Sequence, residues 1–209
     1  MAEEYLTVRG AGESLLLVKK SRFIGRCFSV QTESESAVYL DQVRKAHWDA
    51  THNCYAYRIG CDGRQSRSSD DGEPSGTAGM PILQVLLRQG LVNVLCVVTR
   101  YFGGVLLGAG GLARAYTDAA VKAVEKSGIV LMRSCTAYEV CIPYPLFTTV
   151  ENLSIAFGGI AEKTFTDVVR VVVWVLDDEK DRFLQSLTNA TDARASVKAI
   201  ATDFRPFAS

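Results

Sequence analysis

The sequence lacks an excess of charge of either sign, and this absence narrows the classes of protein to which it belongs. Its 209 residues include 23 Lys and Arg side chains and 23 Asp and Glu side chains, so the formal net charge at pH 7 is zero. A global basic signature, typical of nucleic-acid binders, is therefore missing. The balance is uneven, because residues 1–135 carry 16 basic and 13 acidic side chains. We expect a polyanion to prefer this N-terminal part.

Long hydrophobic runs and paired cysteine motifs are also missing. The longest apolar stretches, VVRVVVWVL and NVLCVV, are much shorter than the about 20 residues of a membrane-spanning helix. The first residues, MAEEYLTVRG, contain no apolar segment of the kind found in signal peptides. The six cysteines form no CxxC motif, which argues against a zinc knuckle or a disulfide framework. We expect a cytoplasmic protein with reduced thiols and no membrane segment.

The sequence does contain enough apolar residues, 48% of the chain, to bury one large core or two small ones. Periodicity predicts a mixed α/β region in the first part, with Ser34 or Ser36 capping its first helix and Thr77 capping its second. Residues 61–76 show no apolar pattern and are expected to form a long polar loop. The predicted strands are 5–9, 13–21, 22–30, 53–60 and 92–102, and a glycine-rich turn at 103–111 opens a helix that ends at Gly128.

The pattern of strands and helices restarts after residue 135. A strand at 136–144 is followed by a helix, two consecutive strands, an acid-started helix and a final strand, which is the β-α-β-β-α-β order of ferredoxin-like domains. The sequence therefore predicts an α+β protein with two domains, residues 1–133 and 134–209. No internal repeat relates the two parts.

The glycine-rich turn and the residues around it form a candidate anion site. Glycines allow backbone N–H groups to turn towards one point, and a helix N-terminus adds partial positive charge. The alternative is that the glycines only permit close packing of the helix on the sheet. In that case Arg100 and Arg114 are solvated or pair with Asp70 or Asp71. The candidate ligands are Arg100, Tyr101, Gly103, Gly104, Gly108, Gly110, Gly111, Arg114 and Thr77.

Acidic residues near a histidine form a second candidate site. His52 is a possible general base, and Asp70, Asp71 and Glu73 are possible ligands of a divalent metal. A solvated acidic turn is favoured over a metal site, because DDGEPSG is good turn chemistry and the spacing of its carboxylates is not a ligand geometry by itself. Cys54 shares a strand face with His52, but no third residue of a nucleophilic triad is identifiable. We expect no cofactor.

Four segments resemble the signature of the IMPACT/YigZ family. They are SRFIG at 21–25, HNCYAYR at 52–58, DDGEPSGTAGMPIL at 70–83 and VTRYFGGVLLGAGGLARAY at 98–116. The resemblance implies a first domain similar to domain 2 of ribosomal protein S5 and a second similar to the last domain of elongation factor G. It implies no settled activity. Eukaryotic members have an extra N-terminal module that we do not find here, so their partner binding in translational control is not expected.

Three functions remain open from the sequence. The favoured one is a binder of RNA, the ribosome or another phosphate-bearing partner, with Tyr101 available for stacking on bases. The alternatives are a hydrolase or transferase acting on a small phosphorylated or carboxylated substrate, and a regulator whose second domain docks a protein. Besides Arg100 and Arg114, the candidate nucleic-acid contacts are Arg22, Arg58, Arg64, Arg67, Tyr55 and Tyr57.

Overall fold

The chain divides into two compact units between Leu131 and Met132 in a computed structural model that describes residues 4–207. The division lies inside one long strand, and the predicted boundary at 133/134 lies in the same strand. The ten strands are β1 (Glu4–Val8), β2 (Gly12–Val18), β3 (Ser21–Ser29), β4 (His52–Ile59), β5 (Gln65–Ser69), β6 (Val94–Tyr101), β7 (Ile129–Ile142), β8 (Ile160–Phe165), β9 (Val169–Leu176) and β10 (Ser196–Phe207). The five α-helices are α1 (Glu33–Ala46), α2 (Gly79–Arg88), α3 (Gly108–Ser127), α4 (Phe147–Ile155) and α5 (Lys180–Thr191).

The N-terminal unit is built on an antiparallel sheet in the order β2-β3-β6-β4-β5. Side chains alternate between the two faces along each strand. On β4, Cys54 and Ala56 pack into the core under α2 and α3, whereas Tyr55 and Tyr57 pack with α1 on the opposite face. The central strands are therefore covered on both faces, which explains why β6 is apolar along almost its whole length.

Several local predictions for this unit are wrong. Thr32, rather than Ser34 or Ser36, caps α1 by accepting from the backbone N–H of Glu35. The predicted polar loop contains a strand, β5, which has no apolar alternation because it is an exposed edge strand held by backbone pairing to β4. Lys19 and Lys20, expected within a strand, form the turn between β2 and β3 with positive φ angles of 44° and 69°.

The C-terminal unit confirms the predicted ferredoxin-like order of elements. Its chain order is β7, α4, β8, β9, α5 and β10, and β10 and β9 are the two neighbours of β7 within this unit. Strand β8 lies outside β9, which gives the order β10-β7-β9-β8. Alternate residues of β9, from Val169 to Val175, are buried with Phe183 of α5 in one core. Within the described part of the chain, no helix is long and apolar enough to cross a membrane.

Candidate functional site

A buried ion pair lies at one end of the N-terminal sheet. Arg100 ends the apolar run of β6 and is paired in register with His52, the first residue of β4. The side chains of Arg100 and Glu73 are 6% and 2% exposed, and Arg100 Nη1 donates to Glu73 Oε1 over 2.6 Å. Tyr116 of α3 donates its hydroxyl to the same carboxylate oxygen over 2.7 Å. Glu73 thus joins the loop before α2 to the sheet and to α3.

His52 completes this group of side chains. Its Nδ1 lies 2.8 Å from the carbonyl oxygen of Asp71, and a carbonyl only accepts, so Nδ1 carries the hydrogen. Its Nε2 lies 3.8 Å from Glu73 Oε1, which is beyond hydrogen-bonding distance. The imidazole therefore attracts the carboxylate only in its protonated form.

The guanidinium of Arg100 is only partly satisfied by the protein. Its Nε is buried and has no hydrogen-bond partner among the described residues. The guanidinium carbon lies 5.5 Å from the ring centre of Phe23 and 5.4 Å from that of Phe102. Phe23 is fully buried, whereas Phe102 is 45% exposed. Phe102 is therefore the exposed aromatic neighbour of a buried cation with a free N–H donor.

The acidic loop before α2 is held by its own carboxylates. Asp70 Oδ1 accepts from the backbone N–H groups of Ala78 and Gly79, and its Oδ2 accepts from Gly76. Asp71 Oδ2 accepts from the backbone N–H of Asn53, and its Oδ1 lies 3.3 Å from Arg44 Nη2. These bonds fix the loop across the start of α2 and the start of β4.

The glycine-rich segment that follows β6 is mostly exposed, but Gly103 meets the β2–β3 turn and Leu107 packs against the core. The backbone N–H of Gly103 donates to Ser21 Oγ over 3.2 Å. A Cβ on Gly104, Gly108 or Gly110 would meet no atom within 4 Å. Helix α3 begins at Gly108 without a side-chain cap and without an acidic residue in its first turn. The start of α3 is therefore an uncompensated positive helix end.

The comparisons with known proteins match both units of the chain. The Impact N-terminal domain model matches residues 19–124, and a domain of unknown function, DUF1949, matches residues 140–194. The chain is similar to IMPACT family member YvyE of Bacillus subtilis, at 37% identity over 95% of this chain and 92% of the relative.

The chain belongs to the IMPACT family.

Two further comparisons describe the relation of this IMPACT family member to other proteins. Protein IMPACT of Rattus norvegicus is 39% identical over 37% of this chain and 28% of that protein. A crystal structure described as that of an hypothetical protein is 30% identical, covers 96% of this chain and 99% of that chain, and has a TM-score of 0.64. The family predicted from the four sequence motifs is confirmed, as is the α+β fold with a ferredoxin-like second domain.

The catalytic candidates of this family member lie together, but their groups are engaged. The interpretation of a solvated acidic turn is wrong, because the carboxylates of Asp70, Asp71 and Glu73 bind backbone N–H groups or side chains. Burial, together with the nearby carboxylates, raises the pKa of the Cys54 thiol to about 12, although its contact with Tyr116 works in the opposite direction. Such a thiol is not a nucleophile at neutral pH. No group of three or more metal-binding side chains occurs between residues 4 and 207.

The predicted anion ligands are distributed differently from the expectation. Arg100 pairs with Glu73 rather than with Asp70 or Asp71, and the Gly103 amide is used by Ser21. The Thr77 hydroxyl donates to the carbonyl of Pro74 and caps no helix. Arg114 is exposed on α3, and the Tyr101 hydroxyl donates to Asp49. The positions that remain open are Gly104 before α3, and Gly108 and Gly110 in its first turn.

The predicted nucleic-acid contacts do not lie together at one end of the sheet. Arg22 is paired in register with Tyr101 at the end of β6, and its guanidinium lies 4.2 Å from the centre of that ring. Arg58 is paired in register with Val94, at the opposite end of β6. The remaining candidates lie elsewhere: Arg67 on β5 near Tyr57, Arg64 in an ion pair with Asp62, and Tyr55 and Tyr57 buried beside α1.

Two residues beside the glycine-rich segment that follows β6 were missed from the sequence. Lys20 lies in the β2–β3 turn against Gly103, and Phe102 covers Arg100. The signal for Lys20 was present, because two polar residues between two apolar strands of similar length are typical of a two-residue hairpin. The position of Phe102 has no such signal, because it depends on how the chain leaves β6.

Proposed function

We propose that this IMPACT family member is a cytoplasmic protein that binds the phosphate groups of RNA at its glycine-rich end. We define this end as the β2–β3 turn, residues 102–107 and the start of α3. The observation that carries the proposal is the uncapped start of α3, which lies open beside Gly104, Gly108 and Gly110. Free N–H groups at a helix N-terminus, with the partial positive charge of the helix, bind phosphate oxygens.

The distribution of charge at this end supports an anionic partner. Three acidic side chains nearby are engaged: Glu73 by Arg100, Asp71 by Arg44, and Asp49 by the Tyr101 hydroxyl. By contrast, Lys20 and Arg114 take part in none of the ion pairs found within the described part of the chain. Both are exposed. Positive charge is therefore in excess at this end, although the whole chain is neutral.

RNA is favoured over a small anion because apolar and aromatic groups surround the phosphate-binding groups. Phe102 is 45% exposed and Leu106 is 83% exposed. A half-exposed aromatic ring beside cationic side chains stacks on unpaired bases while the cations contact the backbone. The resemblance of the two domains to a ribosomal protein and to a translation factor also supports RNA, as an analogy of fold. Binding of this kind needs no cofactor.

The hydrolase alternative has weaker support from the site. A general base needs an accessible proton acceptor, but His52 commits Nδ1 to Asp71 and directs Nε2 towards Glu73. Glu73 in turn neutralises Arg100. These groups therefore stabilise the end of the sheet rather than present free functional groups to a substrate.

Binding of an oligouridine of about 12 nucleotides, followed by fluorescence anisotropy at several salt concentrations, tests the proposal. We expect affinity to fall steeply with salt, because counterions are released when phosphates are neutralised. Arg114→Ala is expected to reduce the salt slope by about 0.7, the value for one phosphate contact on a single strand. Phe102→Ala is expected to weaken binding without changing the slope, because stacking releases no counterion.

Lys122→Ala is the matched control, because Lys122 is another exposed cation on α3, farther from its N-terminus. It is expected to bind as the unmodified protein does. Equal losses in Arg114→Ala and Lys122→Ala would show a diffuse charge effect and would contradict a site at the start of α3. Binding that is insensitive to salt would contradict phosphate recognition altogether.

A further inference from the structure

The outer edge of β2 is unpaired in the N-terminal unit. Strand β2 is the first strand of the sheet order β2-β3-β6-β4-β5, and no described strand lies outside it. The turn Lys19-Lys20 closes the pair Val18 and Ser21, and in a two-residue hairpin this closing pair is hydrogen bonded. Because hydrogen bonding alternates along β2, the backbone N–H and C=O groups of Glu13, Leu15 and Leu17 point away from β3.

The side chains of these outward residues make the edge apolar at its centre. Leu15 is 56% exposed and Leu17 is 68% exposed, whereas Leu16 and Val18 pack against the core. Exposed apolar edge strands are avoided in monomeric proteins, because they pair with other chains. The edge has a charge at each end, Glu13 at its start and Lys19 in the turn that follows it.

We propose that β2 pairs with β2 of a second copy of this chain, in antiparallel register about a two-fold axis at Leu16. In this register Leu15 lies opposite Leu17 of the second copy, and Leu17 lies opposite its Leu15. Each of these two pairs uses outward backbone groups, so the two strands exchange four backbone hydrogen bonds. Four exposed leucine side chains then pack side by side on one face of the joined sheet.

Charge complementarity selects this register over its neighbours. Glu13 then lies beside the turn of the second copy that carries Lys19, and this proximity of opposite charges occurs twice because the interface is two-fold symmetric. Glu13 binds Arg26 through Oε2, so Oε1 is available to the lysine. Moving the two-fold axis to Leu15 or Leu17 would place Glu13 or Lys19, respectively, opposite a leucine. Pairing about Leu16 is therefore the register in which a second copy both binds the outward backbone groups of β2 and brings opposite charges together.

Sedimentation equilibrium at rising protein concentration tests the pairing. We expect the mass of the full chain to approach twice 22.8 kDa. Leu17→Lys is expected to weaken the dimer at least about tenfold, because it places two charges in the apolar centre. Leu106→Lys is the matched control, since Leu106 is 83% exposed and lies outside β2. It is expected to dimerise as the unmodified protein does.

Charge reversal tests the register. Lys19→Glu is expected to weaken the dimer roughly tenfold, because two attractive contacts between Glu13 and the turn of the other copy become repulsive. Glu13→Lys combined with Lys19→Glu is expected to restore it. A monomeric mass at all concentrations, or an unchanged dimer in Leu17→Lys, would overturn the pairing through β2. If the double variant dimerises as weakly as Lys19→Glu, the proposed register about Leu16 would be overturned. These mass measurements do not depend on RNA binding.

Discussion

At Gly103 the chain passes against the β2–β3 turn so closely that no side chain fits. A Cβ at this position would lie 2.1 Å from the carbonyl carbon of Lys20 and 2.5 Å from the backbone nitrogen of Ser21. These are backbone atoms of a tight turn, so they cannot move without breaking the hairpin. Glycine at this residue holds the exit of β6 beside the turn and places Phe102 over Arg100.

Gly103→Ala is expected to lower the free energy of unfolding by about 3 kcal/mol, because backbone must shift to admit the methyl group. Urea denaturation followed by circular dichroism measures this loss. Gly110→Ala is the matched control, since its Cβ meets no atom within 4 Å and it lies in the first turn of α3. It is expected to leave stability unchanged or raise it by up to about 1 kcal/mol. Similar losses in both variants would contradict the role assigned to the close approach.

At the scale of the element, α2 depends on a cap from outside its own sequence. Its N-cap residue, Ala78, has no side-chain acceptor, and Asp70 supplies the carboxylate from eight residues upstream. Burial opposes ionisation of Asp70, but N–H groups of Gly76, Gly79 and Ala78 together outweigh it, so the pKa of Asp70 is lowered from 3.8. The start of α2 and the loop that carries Glu73 are thereby fixed by one side chain.

Asp70→Ala is expected to lower the free energy of unfolding by about 1 kcal/mol at pH 7. Because the folded-state pKa is lowered, this contribution is present above pH 3.8 and is lost as the pH falls through the folded pKa. The difference between the two proteins should therefore shrink only below pH 3.8, in urea titrations at several pH values. Asp118→Ala, at an exposed position of α3, serves as the control and should not lower the free energy of unfolding at pH 7. A loss that is the same at pH 2 and pH 7 would contradict capping by the carboxylate.

Element order was predictable where periodicity was strong, and local details were not. The apolar run of β6 and the helical spacing of α3 predicted a buried strand and a helix correctly. Strand β5 escaped prediction, because an exposed edge strand needs no apolar alternation. The site segments were found, since antiparallel pairing brings His52 beside Arg100. The partner of Arg100 could not be predicted from the sequence, because its contact with Glu73 depends on how the loop before α2 folds back onto the sheet.

At the scale of the whole molecule, the two units have separate hydrophobic cores. The core clusters of the N-terminal unit take their buried residues from Val8 to Val124, and the C-terminal core takes its own from Tyr138 to Leu187. Leu86 of α2 is fully buried in the first, and Phe183 of α5 is fully buried in the second. Each core is large enough to unfold as a cooperative unit of its own.

Leu86→Ala is expected to destabilise the N-terminal unit by about 2–5 kcal/mol, and Phe183→Ala the C-terminal unit by about 3–5 kcal/mol, because each leaves a cavity in one core. Hydrogen exchange measured by mass spectrometry separates the effects. Peptides from β6 and α3 should exchange faster only in Leu86→Ala, and peptides from β9 and α5 only in Phe183→Ala. Each variant is the control for the other, because it leaves the core of the other unit unchanged. Faster exchange of both sets of peptides in either variant would mean that the two cores unfold together. Ligand binding at the glycine-rich end would then protect both units from exchange, rather than the N-terminal unit alone.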